Sequence, residues 1–131
     1  MNIDRSGLAQ RSALIVEDET LVAWHLESVL QDLGFAVCEI VSTGSEAIAK
    51  AAADKPDVIF MDVNLADDID GVEAATKIVK TSDIPIVFVT ANADDEPTVA
   101  RIRATLGERI IVGKPATPAA IHRALRRLKG F

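Results

Sequence analysis

The chain has 131 residues, the size of one compact domain, and its charge excludes some classes of partner. Asp and Glu number 20 against 14 Lys and Arg, a net charge of −6, so the chain as a whole lacks the basic surface that nucleic-acid binding needs. No stretch approaches the roughly 20 apolar residues of a membrane span, and the first twelve residues lack the apolar run of a secretory leader. We therefore expect a soluble, cytoplasmic protein that binds neither nucleic acid nor membrane.

The composition predicts one aliphatic core. Hydrophobic residues make up 49% of the chain but aromatic residues only 4%, so the core must be built mainly from Val, Ile, Leu and Ala, as is common in α/β sheet proteins. The polar residues 1–12 are expected to form a flexible lead, and residues 13–129 a single folded domain.

Short apolar runs alternate with stretches of helical spacing along the chain. The runs predict five strands, at 13–16, 35–41, 58–61, 86–89 and 110–112. The first helix carries an apolar stripe that ends at Gly34, namely Val22, Leu26, Val29, Leu30 and Leu33. Helix two is predicted at 45–53, with its inward residues at Ala47, Ile48, Ala51 and Ala52, and helix three at 72–81.

The last two helices are marked by their first turns. Pro97 fits the first turn of helix four, and Thr117 with Pro118 forms an N-cap and N1 pair that opens helix five. The apolar stripe of helix five is Ile121, Leu125 and Leu128. Strict alternation of strands and helices requires a parallel sheet with right-handed crossovers and helices on both faces, so we predict a doubly wound α/β fold of three layers.

In a doubly wound fold, ligands bind beyond the carboxyl ends of the strands, and the predicted strand ends carry reactive side chains. These are Glu17 and Asp18 after strand one, Asp62 and Asn64 after strand three, Thr90 at the end of strand four and Lys114 after strand five. Crowded carboxylates repel one another, and a hard divalent cation with a preference for oxygen relieves that repulsion. Mg²⁺ is the natural candidate.

The same side chains supply what phosphoryl transfer needs. Asp62 is a carboxylate nucleophile, while a bound cation, the Thr90 hydroxyl and the Lys114 ammonium can neutralise the equatorial oxygens of the phosphoryl group. An aspartyl phosphate is a high-energy mixed anhydride, so its formation can drive a conformational change and its hydrolysis can end it.

Four motifs in this order resemble the receiver domain of bacterial response regulators. They are LIVEDE at 14–19, VIFMD at 58–62, VFVTA at 87–91 and VGKP at 112–115. The resemblance implies a flavodoxin-like sheet of five strands in the order 2-1-3-4-5, with five helices. It implies phosphorylation on Asp62, a switch hydroxyl on Thr90, a phosphoryl-binding Lys114 followed by a cis proline bond, and Mg²⁺ ligands at Glu17, Asp18, Asp62 and the backbone carbonyl of Asn64.

The resemblance also implies a biological role. A sensor histidine kinase or a histidine phosphotransfer protein would donate the phosphoryl group, and the domain would then change its contact with a downstream protein target in two-component signalling. It would catalyse at most its own phosphorylation and dephosphorylation. Helix four, strand five and helix five would form a surface for a homodimer.

Two departures from the family pattern are visible. Ile111 stands where receiver domains usually carry the aromatic residue that reports on the switch, so the usual readout is absent. The loop 63–70 is one residue longer than usual and holds Asp67, Asp68 and Asp70, which we expect to be simply solvated.

Three alternatives to a phosphorylated receiver remain open. A phosphatase of the haloacid dehalogenase type needs a second Asp where Asn64 stands, and a flavodoxin needs a phosphate-binding loop where three acids follow strand one. A pseudo-receiver that binds partners without phosphorylation is the strongest alternative, because Ile111 is compatible with it.

Overall fold

The computed structural model describes residues 11–128 and residue 131. Most of the predicted lead at 1–12 and the last residue of the predicted domain, Lys129, lie outside the described residues. The strands are β1 (Ser12–Val16), β2 (Ala36–Val41), β3 (Val58–Met61), β4 (Ile86–Thr90) and β5 (Ile110–Gly113). The helices are α1 (Thr20–Asp32), α2 (Gly44–Asp54), α3 (Gly71–Val79), α4 (Glu96–Leu106) and α5 (Pro118–Arg126).

All strand pairs are parallel, and the order across the sheet is β2-β1-β3-β4-β5. The predicted doubly wound fold and its strand order are therefore confirmed. The chain leaves β1 toward β2 on one side and later returns to β3 on the other, so the order reverses between β1 and β3. Val16 pairs with Met61 in register, which brings the residues that follow these two strands, Glu17 and Asp62, to neighbouring places on the carboxyl rim.

Alternate residues of each strand pack into two separate hydrophobic layers, as the period of a strand requires. Most of the buried residues are aliphatic, and Phe35, Phe60 and Phe88 are buried among them. Ala13 and Ile15 face the layer that contains the buried residues of α1 and α5. Leu14 and Val16 face the layer that contains those of α2, α3 and α4. Helices therefore cover both faces of the sheet. No helix in the described part of the chain is long and apolar enough to cross a membrane.

The predicted N-cap of α5 is confirmed, and two details of the helices differ from prediction. Thr117 caps α5 by accepting a hydrogen bond from the Ala120 amide, and Asp95 caps α4. Helix α3 ends at Val79, two residues earlier than predicted. Ala52 is exposed, so its predicted inward position was wrong. The buried face of α2 includes Ala47 and Ala51 and is narrower than the apolar stripe predicted from the sequence.

Gly71, the first residue of α3, lies directly against the backbone of Asp62. Its amide donates a hydrogen bond of 2.7 Å to the Val63 carbonyl. A Cβ atom built at this position would lie only 1.9 Å from the Asp62 carbonyl oxygen. A glycine is therefore required for α3 to begin directly against the end of β3. This close contact restricts the position of the Asp62 backbone at the carboxyl end of the sheet.

We expect Gly71→Ala to destabilise the fold by about 1–3 kcal/mol, because the backbone of Asp62 or of α3 must move to admit the methyl group. The free energy of unfolding in urea measures this cost. Gly113→Ala is the matched control, because a Cβ there would meet only the Cβ of Ala93 at 3.5 Å, an ordinary contact. Equal stability of the two variants would contradict the packing argument.

Candidate functional site

An acidic cluster lies at the carboxyl ends of β1 and β3. Glu17, Asp18 and Asp62 each offer one oxygen atom, and the three atoms lie within 4.8 Å of one another. Glu17 and Asp62 are buried, whereas Asp18 is exposed. The sheet holds both strand ends, since the Asp62 amide donates to the Val16 carbonyl at 3.0 Å and the Glu17 amide donates to the Val41 carbonyl at 2.9 Å.

Lys114 bridges the two buried carboxylates. Its Nζ atom lies 2.7 Å from Glu17 Oε1 and 3.0 Å from Asp62 Oδ2, and 3.9 Å from Glu19 Oε1 at the edge of the cluster. The Lys114 side chain is 13% exposed, and those of Glu17 and Asp62 are 4% and 6% exposed. Because β4 lies between β3 and β5, the lysine side chain must span the end of β4 to reach these carboxylates.

The environment of the site raises the pKa of both Glu17 and Lys114. Burial of Glu17, together with the nearby charge of Asp62, raises the pKa of Glu17 above its ordinary value in spite of the hydrogen bond from Lys114. Burial works to lower the pKa of Lys114, but its hydrogen bonds to Glu17 and Asp62 outweigh burial, and the pKa is raised. Burial is thus the main cause of the Glu17 shift and the neighbouring carboxylates are the cause of the Lys114 shift, and a divalent cation would offset the negative charge of these carboxylates.

Thr90 and the chain around Lys114 complete the rim. Thr90 is fully buried at the end of β4, and its Oγ1 atom accepts a hydrogen bond of 3.2 Å from the Asn92 amide. The Lys114 amide donates to the Thr90 carbonyl at 3.1 Å. The bond between Lys114 and Pro115 is cis, as the resemblance implied.

The two remaining predicted positions lie at the edges of this site. Asn64 is exposed in the loop that follows β3, two residues after Asp62. Ile111 pairs in register with Phe88 of β4 and is partly buried against the core layer on the α2, α3 and α4 face. Its aliphatic side chain thus packs into that layer from the edge strand of the sheet.

The expectation that the acids of loop 63–70 are simply solvated is wrong for Asp67. Its carboxylate accepts hydrogen bonds from Ser45 Oγ at 2.7 Å and from the amides of Gly44 and Ser45, and so binds the first turn of α2. The Ser45 hydroxyl, followed by the amides, lowers the pKa of Asp67. No local sequence signal reveals this contact, because Asp67 and Ser45 are 22 residues apart.

Asp70 is also structural, although a local pattern could have revealed part of its role. It is the N-cap of α3, and it forms a capping box with Glu73, a spacing that can be recognised in sequence. The same carboxylate receives two hydrogen bonds from the Arg101 guanidinium of α4, with Nη2 3.0 Å from Oδ1. Asp70 therefore joins the loop after Asp62 to α4, the helix that follows Thr90.

The pKa of Asp70 predicts the pH range in which this link contributes to stability. Partial burial works to raise the pKa, but the hydrogen bonds from Arg101 and from the Glu73 amide outweigh burial and hold the pKa below its ordinary value. A group whose pKa is lowered by folding stabilises the fold above its unfolded pKa of about 3.9. That contribution is lost as the pH falls through the folded value.

We expect Arg101→Gln to lower the free energy of unfolding by roughly 0.5–1 kcal/mol near pH 7, because the ion pair is partly exposed. The difference from wild type should stay constant down to about pH 5 and shrink below about pH 4. Urea unfolding across this range tests the prediction. Arg103→Gln, which removes a more exposed pair with Glu108, should cost less, and a pH-independent Arg101→Gln deficit would contradict the assignment.

The acidic cluster fits a Mg²⁺ ion by its chemistry. Mg²⁺ takes oxygen ligands at about 2.0–2.1 Å, so opposite ligands lie about 4.2 Å apart, close to the spread of the three carboxylate oxygens. Two buried carboxylates with one ammonium between them leave charge that a cation can neutralise. The exposure of Asp18 leaves room for the water molecules that Mg²⁺ usually retains.

A parallel sheet in this order, with an acidic cluster and a lysine at its carboxyl rim, defines the class of receiver domains. The comparison with known families agrees: the response regulator receiver domain matches residues 13–126. The chain belongs to this family, and it is a receiver module of two-component signal transduction.

Individual relatives support the assignment. The chain is 34% identical over 123 residues to the phyllosphere-induced regulator PhyR of Methylorubrum extorquens, covering 90% of this chain and 43% of the relative. The chain thus spans less than half the length of that regulator.

Two solved structures are similar over most of both chains. The signal receiver domain of a modulated diguanylate cyclase from Desulfovibrio desulfuricans has a TM-score of 0.80 at 32% identity, covering 89% of this chain and 91% of its own. The receiver domain of the sensor histidine kinase PA1611 from Pseudomonas aeruginosa, described with a magnesium ion in its active-site cleft, has a TM-score of 0.79 at 30% identity, covering 91% and 97%.

Proposed function

We propose that this receiver accepts a phosphoryl group on Asp62 in a reaction that depends on Mg²⁺. The observation that supports the proposal is the position of the buried Asp62 carboxylate, which has two further carboxylates on one side and the Lys114 ammonium within 3.0 Å. A structural aspartate at a strand end needs neither neighbour. The similar receiver domain from Pseudomonas aeruginosa is described with magnesium in its cleft, which supports Mg²⁺ as the ion.

The proposed step forms one bond and breaks one bond. A carboxylate oxygen of Asp62 attacks the phosphorus of a phosphohistidine or of a small acyl phosphate, and the leaving group departs with the electrons of its bond to phosphorus. Glu17, Asp18, Asp62 and the Asn64 carbonyl would hold the Mg²⁺ ion, whose chemistry is to neutralise the phosphoryl oxygens. The product is an aspartyl phosphate, a mixed anhydride that water later hydrolyses.

Lys114 and Thr90 would respond to the new group. The Lys114 ammonium already binds an oxygen of Asp62, so it needs to move little to pair with a phosphoryl oxygen. Thr90 ends the neighbouring strand, and its hydroxyl would turn from the Asn92 amide toward the phosphoryl group. The loop after β4, which leads into α4, would follow this movement.

Phosphorylation can be tested directly with acetyl phosphate and intact-mass spectrometry. Wild-type protein should gain one phosphoryl group in the presence of Mg²⁺ and none when Mg²⁺ is chelated, because the phosphoryl charge would then be unneutralised. Asp62→Asn should gain none. Thr90→Ser keeps the hydroxyl and is the matched control, expected to be modified as wild type is.

Wild-type protein that stays unmodified under these conditions would favour the alternative, a pseudo-receiver that binds partners without phosphorylation. The observation that favours this alternative is Ile111, a partly buried aliphatic residue at the position where receiver domains usually carry an aromatic residue that responds to phosphorylation.

A histidine kinase or histidine phosphotransfer protein in the cytoplasm is the proposed donor, and α1 offers it an apolar surface beside the site. Leu21 and Trp24 are 77% and 58% exposed, and they are the large hydrophobic side chains exposed in the described part of the chain. Leu21 lines a groove of about 340 Å³ whose wall includes Lys114 and Pro115. A donor that delivers phosphohistidine to Asp62 must cover this rim, and exposed aromatic residues are frequent anchors of such contacts.

We expect Trp24→Ala to slow phosphotransfer from a phosphorylated histidine phosphotransfer protein by about tenfold or more, because a lost aromatic anchor costs 1–2 kcal/mol or more. Phosphorylation by acetyl phosphate should be unchanged, since this small donor does not touch α1. The ratio of the two rates is the measurement. If Trp24→Ala slowed phosphorylation by both donors equally, the substitution would act on the phosphorylation site and not on docking of the donor protein, which would contradict the prediction.

Output is proposed to use the surface of α4, β5 and α5, through contact with a downstream protein or a second copy of the chain. Arg123 and Arg126 of α5 and Arg127, which follows it, are exposed and give this surface a basic patch on an acidic protein. The hydrogen-bonded pair of Asp70 and Arg101 is one contact through which the loop after Asp62 can influence α4, and it does not require an aromatic residue at position 111.

A further inference from the structure

We propose that His25 of α1 is a positioning residue for Lys114, a role that rests on the proposed function of the site. The ring Nε2 atom of His25 lies 3.0 Å from the carbonyl oxygen of Ala116, two residues after Lys114. The histidine therefore connects α1 to the segment that carries the bridging ammonium.

The segment from Lys114 to Ala116 is held at both ends by different elements. At its start, the Lys114 amide donates to the Thr90 carbonyl of β4. Pro115 has no amide hydrogen, so it donates no backbone hydrogen bond between the two ends. At its end, the Ala116 side chain is buried in the core layer shared by α1 and α5, and its carbonyl accepts the bond from His25.

The hydrogen bond from His25 to Ala116 also connects the Lys114 segment to the acidic residues, because His25 lies on α1. Helix α1 begins at Thr20, directly after the acidic residues 17–19, so one rigid helix connects the end of β1 to the segment after β5. The Lys114 Nζ atom must sit between Glu17 and Asp62 at 2.7 and 3.0 Å. Fixing the Ala116 carbonyl relative to α1 restricts where the Lys114 backbone, and thus its ammonium, can lie.

The contact also defines the chemistry that a replacement must supply. A carbonyl oxygen only accepts, so Nε2 of His25 must carry a proton and donate it. The side-chain amide of glutamine places an N–H donor at a similar distance from the backbone, whereas alanine places none. His25→Gln should therefore preserve the bond and His25→Ala should remove it.

The test measures the rate of phosphorylation by acetyl phosphate with Mg²⁺, a donor too small to depend on docking to α1. We expect His25→Ala to lower this rate by roughly three- to tenfold, because a displaced lysine stabilises the transferring group less well. His25→Gln should recover most of the rate. His122→Ala removes the exposed histidine of α5 and is the matched control, expected to match wild type.

A double-mutant cycle separates positioning from a general structural effect. In a Lys114→Gln background, His25→Ala should cause no further loss of rate, because the residue through which it acts is already removed. Independent of activity, the ¹⁵N–¹H resonances of Lys114 and Ala116 should shift in His25→Ala and return toward their wild-type positions in His25→Gln.

Three results would overturn the proposal: a wild-type rate in His25→Ala, an equal loss in the Lys114→Gln background, or unshifted Lys114 resonances. If wild-type protein accepts no phosphoryl group at all, the proposed function fails. The resonance shifts then still decide whether His25 holds the Lys114 segment.

Discussion

The site depends on one buried interaction, the Lys114 ammonium held between the carboxylates of Glu17 and Asp62. Two carboxylates this close repel each other, and burial strengthens the repulsion because the surroundings screen charge less than water does. The ammonium offsets that repulsion, and removal of one partner from a buried ion pair typically costs about 3–5 kcal/mol. The excess negative charge that remains suits the cluster to a divalent cation, and such a cation together with the Lys114 ammonium would supply the positive charge that an incoming phosphoryl group needs.

Several features of the surrounding structure position the side chains of Glu17, Asp62 and Lys114. The parallel register of β1 and β3 sets Glu17 beside Asp62, and the absence of a side chain at Gly71 lets α3 begin against the Asp62 backbone. The hydrogen bond from the Lys114 amide to the Thr90 carbonyl and the hydrogen bond from His25 to the Ala116 carbonyl hold the Lys114 segment at the end of β4. Asp67 and Asp70 then bind the loop after Asp62 to α2 and α4, so a change at Asp62 is connected to two helices.

The sequence predicted the fold and the meeting of Glu17, Asp62 and Lys114 at one rim, because both depend on local patterns and on topology. Alternating apolar runs specify the strands, and a doubly wound sheet brings the residues that end those strands to one rim, so Glu17, Asp62, Thr90 and Lys114 could be grouped before any distance was known. Contacts between distant segments could not be predicted in this way. Asp67 at α2 and His25 at Ala116 join residues 22 and 91 positions apart, and nothing in their neighbouring sequence marks the partner.

The pattern of apolar residues did not predict correctly which residues of α2 are buried. Alanine is compatible with either face of a helix, so an alanine-rich helix does not specify the width of its buried stripe, and Ala52 lies outside it. Loop acids are similarly ambiguous, because an aspartate that caps a helix and one that is solvated have the same composition around them. Only the capping box of Asp70 and Glu73 carries a spacing that distinguishes the two.

The central claim is that Lys114, Asp62 and Thr90 form one switch around a phosphoryl group, and titration with beryllofluoride and Mg²⁺ followed by ¹⁵N–¹H spectra tests it most directly. Beryllofluoride mimics the phosphoryl group without chemistry, so the measurement reports on the switch alone. The account predicts saturable, Mg²⁺-dependent shifts at Asp62, Thr90 and Lys114 that extend into the loop before α4. Spectra that do not change, or shifts confined to the metal ligands with Thr90 and Lys114 unaffected, would contradict it.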